Sequence, residues 1–234
     1  MKIEIWSDLV CPFCYIGKRK FEHALEQFEH SDGIEIQWRS YELQPGLQTD
    51  GSKSQYEHLA DRKGWTLDYS KQVHDQLTET AKGAGLNYNF DKAIPANTFN
   101  AHRLSHLAEK HVLQDEMEER LFRAHFTDGK DINDDETLVE LGVEVDLPEE
   151  EIRDMLQSDL YADEVKDDIR KAHEVGVQGV PFFVFHEKYS ISGAQPSDLF
   201  LATLQKAYKE FKDENTPEVI TDADGASCSI ANTF

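Results

Sequence analysis

The alternation of apolar and polar residues predicts how the chain begins to fold. Apolar side chains occupy every second position from Lys2 to Trp6, which is the period of a strand. After that, the spacing becomes that of a helix with one buried face, formed by Phe13, Ile16, Gly17, Phe21, Ala24, Leu25 and Phe28. Alternation returns between Gly33 and Ser40. Because a helical crossover joins the two strands, we expect them to be parallel neighbours.

The middle of the chain has a different pattern. Short amphipathic stretches alternate with loop signals there, and no strand pattern is present. We predict seven helices, near residues 54–63, 68–83, 97–111, 113–127, 134–142, 148–157 and 159–175. Each is too short to be stable alone, so we expect them to pack together as an all-helical domain, residues 54–176, inserted into an α/β unit.

The α/β pattern resumes after this segment. An apolar run led by Pro181 and continuing to Phe185 predicts a buried strand, and alternation over residues 189–193 predicts a returning strand, so the two form a hairpin. A last helix is expected to begin at Pro196. Residues 1–53 and 177–213 are therefore assigned to one domain, and the polar residues 214–234 to a C-terminal tail.

Composition narrows the choice of partner. The chain has 234 residues, and its 24 basic and 46 acidic side chains give a net charge of −22. Such a charge argues against nucleic acid and anionic membrane surfaces as partners, because both are polyanions. No apolar run approaches the roughly 20 residues of a membrane span, and Met1-Lys2 leads directly into the first strand without a signal pattern. We therefore expect a cytoplasmic protein.

Two of the three cysteines lie where the first strand turns into the first helix, in the segment Cys11-Pro12-Phe13-Cys14. Proline is well suited to the first position of a helix, which makes Cys11 the N-cap. The free amide groups and the positive end of the helix dipole favour a thiolate there. Cys14 follows one turn later and is expected to point inward, close enough to attack a mixed disulfide formed on Cys11. The pair is predicted to be redox-active.

Other interpretations of the pair are a zinc site and an inert pair of thiols. A structural zinc site needs four ligands, and this one would require Cys228 together with a histidine. None of the ten histidines has paired ligand spacing, so we predict no metal site. With only three cysteines in a reducing compartment, a disulfide is expected to be transient and catalytic.

Four segments give the chain a resemblance to a known family: SDLVCPFCYIG from Ser7, NTFNAHRL from Asn97, GVQGVPFFVF from Gly176 and SGAQ from Ser192. In this order they resemble the cytoplasmic FrnE-type branch of the DsbA family of thiol-disulfide oxidoreductases. The resemblance covers residues 1 to about 212. It implies an α/β, thioredoxin-like fold with a large all-helical domain inserted between its βαβ and ββα halves. It also implies that Cys11 is the nucleophile, that Cys14 is the resolving thiol and that Pro181 is cis and faces them.

The sequence departs from the family pattern at two places. Phe13 stands where the periplasmic oxidase DsbA has a histidine, so extreme oxidising power is not expected. Some FrnE proteins have a second cysteine pair in the tail, whereas Cys228 is alone here and is expected to be an incidental thiol.

Substrate contacts are predicted around the cysteine pair. Pro12 and Phe13 lie between the cysteines, and the Val180 backbone before Pro181 is free to pair with an extended substrate.

His102 and Asn97 belong to a segment that lies near the cleft in related glutathione-using isomerases, so both are candidate substrate contacts. The alternative is that Asn97 caps the helix and His102 is an ordinary helix residue.

Two functions remain in competition. The first is thiol-disulfide exchange or isomerisation at Cys11, acting on protein or small-molecule thiols and disulfides, with no bound cofactor and with glutathione as a candidate co-substrate. The second is glutathione activation, as in kappa-class transferases and 2-hydroxychromene-2-carboxylate isomerase, which have serine at the position of Cys11. The presence of both cysteines favours the first. A metal carrier or plain binding module is the non-enzymatic alternative.

Overall fold

The computed structural model describes residues 1–49 and 52–215. Predictions for the tail beyond residue 215, including Cys228, lie outside the described residues. Strand β1 is Lys2–Ser7, helix α1 is Pro12–Glu26 and strand β2 is Glu35–Ser40. β1 and β2 pair in parallel, with Ile3 opposite Ile36 and Ile5 opposite Trp38, which confirms the predicted crossover.

Seven helices follow between β2 and the third strand, close to the predicted positions. They are α2 (Gln55–Lys63), α3 (Leu67–Gly83), α4 (Phe99–Lys110), α5 (Gln114–Arg123), α6 (Asp135–Glu144), α7 (Glu149–Leu156) and α8 (Ala162–Val175). A π-helical turn, Ala124–Asp128, continues α5.

The C-terminal half of the sheet is a hairpin followed by a helix. Strand β3 is Phe182–Phe185, β4 is Tyr189–Ser192 and helix α9 is Ser197–Asn215. β3 pairs antiparallel with both β1 and β4, so the sheet order is β2-β1-β3-β4. The predicted hairpin is confirmed, although its first strand begins at Phe182 rather than at Pro181.

The two faces of the sheet pack against different helices. Alternation along β1 and β3 directs Ile3, Ile5, Phe183 and Phe185 to the face that carries α1 and α9, where Phe21 contacts Phe183 with ring centroids 5.5 Å apart. Trp6 and Val184 face the other way and pack with Ala172 at the end of α8. Burial of both faces holds the end of β1 and the start of α1 in fixed positions.

A buried carboxylate ties α8 to the sheet. Asp168 is 1 % exposed, and its Oδ2 accepts a hydrogen bond from the Ser40 backbone at 3.0 Å. Its Oδ1 lies 3.0 Å from Arg39 Nη1, and its Oδ2 lies 3.1 Å from His106 Nε2. Although burial disfavours the charged ring, the hydrogen bonds to Asp168 and Glu109 raise the pKa of His106 to about 9.

Candidate active site

Cys11 lies between the end of β1 and the first turn of α1. Its backbone N–H donates to Asp8 O at 2.9 Å, which closes the turn after β1, and Pro12 is the first helical residue. Cys11 is therefore the N-cap of α1, as predicted, with no side-chain capping hydrogen bond. Its sulfur instead lies 3.5 Å from the carbonyl oxygen of Val180.

Cys14 has a contrasting environment. Its backbone N–H donates to Cys11 O at 3.0 Å, and its side chain is 1 % exposed. Burial raises the pKa of the Cys14 thiol well above its usual range, and the hydrogen bond to Cys11 and the negative charge that Cys11 can carry act in the same direction. Neither cysteine is in a disulfide. The pair thus has a buried sulfur that retains its proton and a second sulfur at the helix N-terminus.

Cys11 and Phe13, both at the start of α1, differ in exposure. Cys11 is 5 % exposed, because residues of α2 and α3 face the first turn of α1 and leave only a cavity beside the sulfur. Phe13, which the helical spacing assigns to the buried face, is 46 % exposed and lines this cavity. The first turn of α1 extends beyond the core-facing part of the helix, so spacing alone misassigns Phe13.

Pro181 packs against α1 beside the cysteines. The Val180–Pro181 peptide bond is cis, and Pro181 is buried. A Cβ added to Gly17 would lie 3.0 Å from Pro181 Cγ and 3.5 Å from Phe183 Cζ. Glycine at this position therefore allows α1 to approach Pro181 closely, and the carbonyl of the preceding Val180 meets the Cys11 sulfur.

A buried polar group lies behind the turn that carries Cys11. Asp8 is fully buried, accepts a hydrogen bond from the Leu43 backbone at 2.7 Å and lies 3.5 Å from His102 Nε2. His102 Nε2 is also 3.1 Å from Tyr41 O. Burial disfavours the imidazolium, but the hydrogen bond to Asp8 and its charge outweigh this and raise the pKa of His102. His102 is thus placed to hold a positive charge close to the loop before Cys11.

Two more titratable side chains are buried in the same region. Burial raises the pKa of Glu118, whose Oε1 accepts from Ser105 Oγ at 2.7 Å. His125, in the π-helical turn, is fully buried, and neither ring nitrogen has a hydrogen-bond partner among the described residues. Burial lowers the pKa of His125 to about 4, so its ring is neutral at physiological pH.

Asn97 lies apart from the cysteines. Its Oδ1 accepts from the Phe99 backbone at 2.9 Å and its Nδ2 donates to Leu47 O at 3.2 Å. It lines a separate polar recess with Glu42, Asn100 and others, not the cavity beside Cys11. The capping alternative agrees with this placement, although Thr98 occupies the N-cap position.

Several residues of the site were not anticipated from the sequence. The cavity beside Cys11 is lined by side chains of α2, α3 and the loops around them, among them His58, Arg62, Trp65 and Phe90. The Tyr88 hydroxyl donates to Pro12 O at 2.7 Å. Asp8 could have been found from the sequence, because it is a polar residue next to the cysteine motif. No local sequence pattern indicates that α2 or Tyr88 lies near Cys11.

The comparison with protein families decides the classification. A model described as the DSBA-like thioredoxin domain matches residues 2–205, which is most of the chain. The chain belongs to this DSBA-like family. Its four-stranded sheet and nine helices over the described residues form a DsbA-like thioredoxin fold with a helical region. No helix among residues 1–49 and 52–215 has the length and apolarity needed to cross a bilayer.

Solved structures agree with this classification. A probable DsbA oxidoreductase from Streptomyces coelicolor is 38 % identical, with a TM-score of 0.84, over 99 % of this chain and all of that one. A 2-hydroxychromene-2-carboxylate isomerase is 15 % identical, with a TM-score of 0.66, over 92 % of this chain and all of that one. The cytosolic disulfide reductase DsbM from Pseudomonas aeruginosa, solved with GSH, is 19 % identical, with a TM-score of 0.64, over 89 % of this chain and all of that one. The isomerase and DsbM are similar to this chain in fold.

Two sulfur atoms and the cavity beside them make up the candidate site. Among the described residues, no group of three or more histidine, cysteine or carboxylate side chains is arranged to hold a metal ion. The reactive elements are the sulfur at the N-terminus of α1, the buried thiol one turn later and the cavity beside them. A sulfur atom of a bound molecule in that cavity would adjoin Cys11.

Proposed function

We propose that this DSBA-like protein is a thiol-disulfide oxidoreductase that works through Cys11 and Cys14. The observation that carries the proposal is the asymmetry of the pair. Cys11 caps α1 beside a cavity, while Cys14 is a buried thiol hydrogen-bonded to it. The N-terminus of a helix stabilises a thiolate, and the thiolate is the attacking species in exchange.

The reaction has two exchange steps. In the first, the Cys11 thiolate attacks a substrate disulfide, forms a mixed disulfide and releases one substrate thiolate. In the second, Cys14 loses its proton and attacks the Cys11 sulfur, which releases the second thiolate and leaves the Cys11–Cys14 disulfide. Two electrons pass from the protein to the substrate, and a thiol reductant reverses the process.

Glutathione is the thiol co-substrate that we propose. DsbM, which has the same fold, is a cytosolic disulfide reductase solved with GSH. Three cysteines in 234 residues also suit a reducing compartment, so we place the activity in the cytoplasm.

A substitution at Cys14 tests the proposal. Cys14→Ser should retain the first exchange step and lose the second, so reduced variant mixed with a peptide disulfide should accumulate a covalent adduct. Intact-mass spectrometry before and after reduction measures it. Cys11→Ser is the matched control and should form no adduct, provided that both variants also carry Cys228→Ser so that the third thiol cannot react.

The same experiment separates exchange from glutathione activation, the chemistry of the isomerase that shares this fold. In that mechanism the substrate never becomes attached to the protein, so Cys14→Ser would keep its glutathione-dependent turnover and form no adduct. That outcome would refute the proposal.

A further inference from the structure

The cavity beside Cys11 has the size and walls of a small-molecule site. Its volume is about 280 Å³, and it opens between the first turn of α1 and the helices α2 and α3. An apolar cavity of roughly 150 Å³ is enough to hold benzene. The walls are mainly apolar and aromatic, formed by Leu59, Trp65, Val73, Leu77 and Phe90. This α2–α3 cavity therefore accommodates a substituted aromatic ring.

One helix brings basic side chains to the cavity. His58, Arg62 and Lys63 all belong to α2 and all line it. Arg62 Nη2 donates to Leu43 O at 2.8 Å, and the Lys63 side chain is exposed. Burial, together with the charge of Arg62, lowers the pKa of His58, so the two remaining side chains supply the charge.

These two charges are not neutralised within the part of the chain that the structure describes. Neither Arg62 nor Lys63 forms an ion pair there, whereas the nearby carboxylates are engaged elsewhere. Asp61 pairs with Lys53 at 2.8 Å, and Glu57 accepts from the Ser54 backbone in a capping box. The chain as a whole has a net charge of −22, so two unpaired cations beside an apolar cavity give this part of the surface a charge opposite to that of the whole protein.

We propose that the α2–α3 cavity binds a low-molecular-weight aromatic disulfide that carries a carboxylate. Its ring would contact Trp65 and Phe90, its carboxylate would meet Arg62 and Lys63, and its sulfur would adjoin Cys11. The inference rests on the proposed exchange activity and names a substrate class for it. A bidentate guanidinium is well matched to a carboxylate, which favours this anion over a neutral group.

The covalent step balances as ordinary exchange. The Cys11 thiolate attacks one sulfur of the disulfide, which breaks the sulfur–sulfur bond and releases one aromatic thiolate. Cys14 then displaces the second aromatic thiolate from Cys11. The disulfide gains two electrons, the protein dithiol loses two electrons, and the proton of Cys14 passes to solvent.

The test compares two aromatic disulfides that differ in charge. Fully reduced protein in which Cys228 is replaced by serine, so that only the Cys11–Cys14 pair can react, is mixed in a stopped-flow instrument with 5,5′-dithiobis(2-nitrobenzoate), which is carboxylated, or with neutral 2,2′-dithiodipyridine. The measured quantity is the rate constant for the carboxylated disulfide divided by that for the neutral disulfide. A change in the intrinsic reactivity of Cys11 affects both rate constants and cancels in this ratio. We expect Arg62→Gln/Lys63→Gln to lower the ratio about fivefold to tenfold.

Matched variants control for charge and structure. Lys71→Gln/Lys82→Gln removes two exposed cations from α3 that do not line the cavity, and it should change the ratio less than about twofold. Arg62→Lys retains the charge and should keep most of the ratio. Val73→Phe, which fills the cavity, should slow the reaction with both disulfides.

The outcomes distinguish the two proposals. An equal fall in the ratio for the α2 and α3 double variants, or no fall in either, would overturn the assignment of the cavity while leaving exchange at Cys11 intact. If the Cys11→Ser variant instead reacted with both disulfides as fast as the wild type, the proposed function itself would be wrong.

Discussion

The buried ring of His125 gives a quantitative prediction about stability and pH. His125→Leu replaces the ring with an apolar side chain of similar volume, and neither ring nitrogen has a partner among the described residues, so no hydrogen bond within that part of the chain is lost. The ring contacts Phe126 edge-on with centroids 4.6 Å apart, and leucine fits such an apolar neighbourhood. We therefore expect the substitution to change the free energy of unfolding mainly by removing a titratable group at position 125.

The magnitude follows from linkage. The pKa of His125 is about 4 in the folded protein, because of burial, and an unfolded histidine has a pKa of about 6.5. As the pH falls below 6.5 the unfolded chain takes up a proton that the folded chain accepts only near pH 4, so stability is full at neutral pH and is lost toward acid. This penalty is about 0.2 kcal/mol at pH 7 and about 2 kcal/mol at pH 5. His125→Leu has no such penalty, because leucine does not bind a proton.

Urea unfolding at pH 7 and at pH 5 measures the effect. The wild type should lose about 2 kcal/mol more of its free energy of unfolding between these pH values than His125→Leu does. His23→Leu is the matched control, because the His23 side chain in α1 is 65 % exposed and water surrounds it in both states. Equal losses in the wild type and His125→Leu would show that the ring is accessible to protons in the folded protein, and the account of its burial would be refuted.

Two further predictions concern the cysteines and the contact behind them. Iodoacetamide at pH 7 should modify Cys11 and leave Cys14 as a thiol, because burial raises the pKa of Cys14; peptide mapping showing Cys14 modified first would reverse their roles. Gly17→Ala places a Cβ against Pro181 and should cost about 1–3 kcal/mol by overpacking, with slower exchange. Gly83→Ala, whose added Cβ meets nothing within 4 Å, should be neutral or slightly stabilising in the same unfolding assay, and equal effects would contradict the contact.

The sequence was most informative where short-range physics decides the structure. The alternation of Ile3 and Ile5 sets which face of β1 packs against α1 and α9, and a proline at the first helical position makes Cys11 the N-cap. Both depend on a few neighbouring residues, so periodicity and capping chemistry predict them. The helices of the middle segment were predicted for the same reason, with ends that differ by a few residues.

Features that depend on contacts distant in sequence were not predicted. Arg62 and Cys11 are separated by 51 positions and line one cavity only because α2 folds back beside α1. The same limit explains Phe13, because helical spacing cannot tell which turn of a helix extends past the core. His102 was predicted as a candidate because of the segment to which it belongs. Its contact with Asp8 was not predicted, because the two residues are distant in sequence and meet only in the folded protein.

A redox titration measures whether Cys11 and Cys14 form a reversible disulfide. The protein is equilibrated in glutathione buffers of graded potential, quenched with acid and alkylated, and the fraction with the Cys11–Cys14 disulfide is measured by mass spectrometry. We expect a reversible two-electron transition between the values of about −270 mV for thioredoxin and about −120 mV for DsbA, near the glutaredoxin range of about −200 to −230 mV, because the helix N-terminus is present and a histidine between the cysteines is not. A pair that forms no disulfide under these conditions, or one that stays oxidised below about −300 mV like a structural disulfide, would contradict the account.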